Sequence, residues 1–183
     1  MSKEFSGVDF AIGSVFGHRI FGVNIKGELE PVSQSGPWFP GENVAVCKKH
    51  PSKNQVEPKR DDEEYSDYNK RIAEWRNDHD FEDCEHGFYA YFDGHDNGYT
   101  YNKMHVSGVI EAYGEVLVGT KGFRATKAKV VALSIAPVDG LWRLEEFVVD
   151  RLRANYPKVP IFASELAMRA EFPCPQFEVM ADA

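Results

Sequence analysis

The chain is poor in cysteine: its 183 residues include three, Cys47, Cys84 and Cys174. An odd, low number over that length excludes the disulfide framework of a small secreted domain. No run of about 18 apolar residues occurs, so no segment reads as a membrane-spanning helix. The first residues, Met1-Ser2-Lys3-Glu4-Phe5, lack the charged-then-apolar pattern of a secretion signal. The resulting expectation is a protein of a reducing cytoplasm, without a membrane. Basic charge is also scarce. Lys+Arg number 21 against Asp+Glu 29, a net charge of -8, which opposes general nucleic-acid binding. Sequences that announce a reaction are missing too. There is no Gly-x-Gly-x-x-Gly, no phosphate-loop lysine, no Gly-x-Ser-x-Gly and no His-Glu-x-x-His. Asp93-Gly94-His95-Asp96-Asn97-Gly98 resembles a calcium loop only at its start. Counted from Asp93, the third ligand position is His95 and the twelfth is Met104, where a bidentate glutamate is required.

What is present suffices for a packed core: 43% of residues are hydrophobic and 13% aromatic. The length suits a single domain over residues 1–183. Charge, however, is unevenly placed. Residues 1–60 carry a net +2, residues 61–100 a net -10, and residues 101–183 balance. The anionic stretch opens with Asp61, Asp62, Glu63 and Glu64. Two readings compete: a solvated helix face with its loop, or a surface that attracts a basic protein and speeds its association.

Glycine-punctuated apolar residues over 8–32 predict two or three short strands, with a hairpin tip at Asn24–Glu28. Further strands are expected at Asn43–Cys47, at 86–92 and across Met104–Leu133, the last broken by turns at Gly119 and Gly122. Residues 48–60 read as a loop. Residues 61–78 read as an acidic helical insertion, with Tyr65, Tyr68, Ile72 and Trp75 on one face. A second helix is expected over 141–155 with Leu144, Phe147, Val148 and Leu152 inward. A third, short helix follows an N-cap at Ser164, and 172–183 is a tail. Strands joined by turns, without regularly alternating helices, predict an α+β fold. It should be a mostly antiparallel sheet or partly open barrel with two or three helices, one of them the acidic insertion.

Cys47-Lys48-Lys49-His50 and Cys84-Glu85-His86-Gly87 together offer two thiolates and two imidazoles, a complete tetrahedral set for structural zinc. Such a clasp at Cys47, His50, Cys84 and His86 would pin the base of the acidic insertion, which cannot bury much apolar surface itself. The alternative is two buried cysteines and two surface histidines. A nucleophile–base pair of Cys84 and His86 is disfavoured, because Asp83 and Glu85 would raise the thiol pKa. His18, His79, His95 and His105 read as ordinary loop or strand-edge histidines. Trp38 and Phe39, in a turn-rich loop, read as an exposed aromatic pair suited to a contact hot spot. Lys121–Lys129 is the one basic cluster. Its Arg124, beside Phe123, is either a site for a ligand phosphate or carboxylate or the partner of an internal acid.

The steps Cys84-Glu85-His86-Gly87-Phe88-Tyr89-Ala90, Val106-Ser107-Gly108-Val109, Gly114-Glu115-Val116 and Gly122-Phe123-Arg124-Ala125-Thr126-Lys127-Ala128 carry a resemblance over about residues 40–135. The chain resembles a family of small uncharacterised proteins of actinobacteria and their bacteriophages, of mycobacteriophage type. These carry a Cys-x-Cys-Gly or similar step, an aromatic-Ala pair and a Gly-x-Arg-Ala-x-x-Ala strand. His86 stands here where a second cysteine is expected, which keeps a metal-ligand type. The resemblance implies a phage gene expressed in the cytoplasm of an actinobacterial host. The family itself lends no activity; accessory phage proteins of this size often bind and perturb a host protein, and some are toxic to the host cell, so the leading expectation is a non-enzymatic accessory protein of that kind. The contact surfaces expected on that reading are Asp61–Glu64 and Trp38-Phe39, facing a partner with a basic surface. Two alternatives stand beside it: a small-ligand binder or enzyme with a pocket near Arg124, and a virion or assembly component.

Overall fold

A long antiparallel hairpin organises the chain. The computed structural model describes residues 13–31, 37–47, 59–76, 81, 86–93, 104–136 and 144–174, with the side chains of Trp75 and Arg76 excepted. Among these residues the order is β1 (Val15–Val23), β2 (Leu29–Pro31), β3 (Asn43–Val44), α1 (Tyr65–Arg76), β4 (Phe88–Tyr91), β5 (Met104–Val118), β6 (Gly122–Ser134), α2 (Glu146–Asn155), β7 (Ile161–Phe162) and α3 (Glu165–Glu171). The fold is α+β, with one mixed, mostly antiparallel sheet of seven strands.

β5 and β6 are rich in β-branched residues and pair from Ser107↔Ser134 to Val118↔Phe123, with two irregularities along β5. β1 runs along the other edge of β5, from Val15↔Ala112 to Val23↔Met104. β4 pairs with β6 over Phe88↔Ala125 to Tyr91↔Gly122, and touches β1 through His18↔Tyr91 alone. β1, β5, β6 and β4 thereby form a ring of four strands with one thin seam, short of a barrel. Beyond β4 on the same edge of β6 come β3, antiparallel, and β7, parallel.

The β1–β2 hairpin forms where the sequence places it. The Asn24 side-chain oxygen accepts from the N–H groups of Lys26 and Glu28, a local asparagine turn. Gly27 has φ 74°, and a Cβ there would lie 2.5 Å from the Leu152 backbone nitrogen, so only glycine fits against α2. α2 in turn holds this tip: Arg151 and Asn155 donate to the carbonyls of Ile25 and Lys26.

Alternation along the strands splits the apolar side chains between two layers. The larger core lies between the sheet and α2 and includes Phe21, Trp38, Ile110, Phe123, Leu133, Val148 and Leu152. Each such buried side chain contributes about 1.5–3 kcal/mol. The smaller layer, Val109, Ala132 and Met168, packs α3 on the opposite face. Ser164 caps α3 as expected, accepting from the Ala167 N–H. The inward stripe of α2 departs from the sequence reading. Val149 is buried with Leu144, Val148 and Leu152, whereas Phe147 is 51% exposed with Arg151 over its ring. No helix among the described residues is long and apolar enough to cross a membrane.

Candidate functional site: an anionic arm and two buried polar clusters

The acidic quartet does not form the first turn of a helix. Asp61 and Asp62 make a turn, and α1 starts only at Tyr65. Glu63 sets this boundary. Its carboxylate accepts from the Arg60 backbone N–H and forms a fork with Arg71 Nε and Nη2, both at 3.0 Å. The Arg71 bonds, ahead of the Arg60 backbone N–H, hold the Glu63 carboxyl down to about 2. Lys70 lies 3.7 Å from Glu42, which also accepts from the Tyr113 hydroxyl. Asp61, Asp62, Glu64, Asp67 and Glu74 are exposed. Of the expected apolar stripe, Tyr68 and Ile72 are half-buried, while Tyr65 is 67% exposed; Ala73 is the residue fully buried.

The exposed aromatic pair is half corrected. Phe39 is exposed, but Trp38 is buried at 3%. The reason is a pairing that extends the sheet: the Trp38 N–H donates to the Leu29 carbonyl at 2.8 Å. Its indole then packs edge-on against Phe21 and tilted against Phe88, centroids 5.0 and 4.6 Å apart. Tyr156, at the end of α2, locks this arrangement. Its buried hydroxyl donates to the Trp38 carbonyl at 2.5 Å and accepts from the Leu29 N–H at 3.0 Å.

Arg124 is buried at 5% and its guanidinium is engaged. Nη2 donates to the Phe81 carbonyl at 3.0 Å, Nη1 to the His86 carbonyl at 3.4 Å, and the group lies over the Phe81 ring at 4.4 Å. The internal partners are thus carbonyls and a ring. Phe81 is the residue that the sequence reading missed; nothing local in the sequence marks a phenylalanine 43 positions away as the cover of that arginine.

Of the four expected zinc ligands, His50 and Cys84 lie outside the described residues. Cys47 is buried and His86 is half-buried. Both flank one stretch of β6. The Ala45 N–H, two residues before Cys47, donates to the Thr126 carbonyl, and Phe88, two residues after His86, pairs with Ala125. Among the described residues no group of three or more His, Cys, Asp or Glu side chains is placed to hold a metal.

A second polar cluster lies under α3. His18 and His105 are not edge histidines: both belong to paired strand segments and are buried at 8% and 6%. His18 and Ser107 share the outer face of β1 and β5, since His18 opposes Val109 and Ile20 opposes Ser107. The Ser107 hydroxyl donates to Glu165 Oε2 at 3.0 Å. Arg169 donates to the other oxygen of Glu165 and to the Asp93 carbonyl. Burial, then the Arg169 cation, pushes the His18 imidazole down to about 4, against the opposing pull of Glu165 and Asp93. His18 is therefore neutral at pH 7, and this cluster serves to seat α3.

Comparison with protein-family models, with curated proteins and with solved structures finds no match to this chain.

Proposed function

We propose that the protein acts by binding another protein through the anionic face around α1, and that it performs no reaction of its own. The observation that carries this reading is the placement of charge in residues 61–74. Asp61, Asp62, Glu64, Asp67 and Glu74 point to solvent, whereas the cations Lys70 and Arg71 are turned to Glu42 and Glu63. A surface so arranged attracts a basic patch over a distance of about 10 Å at ordinary ionic strength and accelerates encounter. Tyr65 and Phe39 add exposed rings of the type that anchors contacts. The resemblance to actinobacteriophage proteins makes the partner a protein of the bacterial host, perturbed on binding to the detriment of the cell. A structural zinc at Cys47, His50, Cys84 and His86 belongs to the same reading. Its support is that Ala45 and Phe88, two residues from Cys47 and from His86, meet neighbouring positions of β6.

The test uses the intact protein and a variant with Asp61, Asp62, Glu64 and Asp67 all changed to Lys. Immobilised parent protein is expected to retain one defined basic protein from actinobacterial lysate at low salt and to release it as salt rises. The charge-reversed variant, folded by circular dichroism, is expected to retain none of it and to relieve any growth arrest caused by the parent. Equal retention by both proteins, or retention of nothing specific, contradicts the proposal. The reading of Arg124 as a ligand group has no comparable support, because its guanidinium is already held by two carbonyls.

A further inference from the structure

α3 is held to the sheet by little. Met168 is the one buried residue of its seven, and Leu166 is 80% exposed. The layer beneath is Val109 and Ala132, bordered by Phe16, Phe162 and Phe172. A segment with so small an apolar contact opens at lower cost than the main core. The rest of its attachment is polar. Glu165 Oε2 accepts from the Ser107 hydroxyl at 3.0 Å, and Oε1 accepts from Arg169 Nε at 2.9 Å. Arg169 also donates to the Asp93 carbonyl at 2.9 Å.

His18 lies under this latch. It is buried, and its Nδ1 is shut off from solvent with no hydrogen-bond partner. Charged and titratable groups surround it on each neighbouring element. α3 supplies Arg169 and Glu165, and Asp93, just past β4, has its side chain in solvent. Tyr91 of β4 stands directly opposite His18. On β5 the same face carries His105, opposite Gly22, and Glu111, which is opposite Phe16 and paired with Lys129 of β6. A proton on His18 therefore places a second cation beside Arg169. Both Glu165 oxygens are already engaged, so an imidazolium gains that carboxylate only by drawing it away from Arg169 or Ser107.

We propose that α3 is an acid-released strap: when His18 gains a proton, α3 lifts from the outer face of β1 and β5 while the sheet stays folded, uncovering Phe16, Val109 and Ala132. The device is separate from the anionic face around α1 and stands whether or not that face binds a protein. Its pH range follows from linkage. Burial, then Arg169, holds the covered imidazole down to about 4, against 6.5 for a free one. Docking of α3 is thus complete above pH 6.5 and weakens as pH falls toward 4, and at pH 5 it is about 30-fold weaker than at neutral pH.

Amide hydrogen exchange of the intact protein, corrected for intrinsic exchange, reads the release at the Met168 and Phe172 N–H groups, which donate to the Ser164 and Met168 carbonyls. These two amides are expected to be at least about tenfold less protected than the paired β5–β6 amides, and to lose a further factor of about 30 between pH 7.5 and pH 5. His18→Gln, neutral throughout, is expected to abolish that loss. The proposal is overturned if α3 and β5–β6 amides are equally protected, which makes release and global unfolding one event. It is also overturned if α3 protection does not change over this pH range, or if a folded His18→Gln protein shows the same change. Should His18→Gln fail to fold, NMR titration of the His18 imidazole in the parent decides: a midpoint near 4 is expected, and one near 6.5 overturns the proposal.

Discussion

Tyr156→Phe removes one oxygen atom and disconnects two segments. The hydroxyl donates to the Trp38 carbonyl at 2.5 Å and accepts from the Leu29 N–H at 3.0 Å, tying the end of α2 to β2 and to the segment beside it. Tyr156, Leu29 and Trp38 are exposed by 2%, 0% and 3%, so water cannot take over either bond. An unsatisfied buried group costs about 1–3 kcal/mol, and two such losses, partly relieved by relaxation, give about 2–4 kcal/mol. For a chain of this size that corresponds to a drop in Tm on the order of 10 °C. Tyr113→Phe is the control. Its hydroxyl bonds Glu42 near the surface, and its loss is expected to cost under about 1 kcal/mol. Urea unfolding with an unchanged m-value measures both. Burial also pushes the Tyr156 phenol from 10.0 up to about 12. A raised folded-state value means that this stability is complete below pH 10 and is lost as pH rises through about 12. Tyr156→Phe is therefore expected to flatten the alkaline limb of the stability curve. A loss below about 0.5 kcal/mol would refute the claim that this hydroxyl seats Trp38.

Two further predictions follow from buried groups. His18 is held neutral with its pKa lowered from 6.5 to about 4, so the unfolded chain binds the extra proton between those values. Stability is expected to be full above pH 6.5 and to fall as pH drops toward 4, with a shallower slope in His18→Gln, read by thermal unfolding across that range. Elemental analysis of protein purified without chelator or affinity metal is expected to find one zinc per chain, lost in Cys84→Ser. A metal-free parent of unaltered stability contradicts the clasp.

Local features were legible in the sequence and long-range ones were not. The β5–β6 hairpin, the Asn24 turn and the Ser164 cap depend on residues a few positions apart, and their turn chemistry names them. The closing of the ring through His18↔Tyr91 and the landing of β3 on β6 depend on pairings across the chain, which alternation alone does not specify. The start of α1 was misplaced because dense acid residues suit a first helical turn, whereas Glu63 is occupied by Arg60 and Arg71. Trp38 sits among turn-forming residues and so reads as exposed; only its bridge to Leu29 carries it into the core. In α2, Phe147 and Val149 lie one residue, about 100°, to either side of the inward Val148, so helical periodicity alone does not decide which of the two turns inward. His18 and His105 gave no signal, since their burial follows from the strand ladders and, for His18, from α3.

The most direct measurement is the salt-dependent affinity of the captured host protein for the parent and for the variant with Asp61, Asp62, Glu64 and Asp67 changed to Lys. An affinity that weakens with salt in the parent and disappears in the folded variant agrees with contact through the anionic face. An affinity that is unchanged by the four substitutions and insensitive to salt contradicts it.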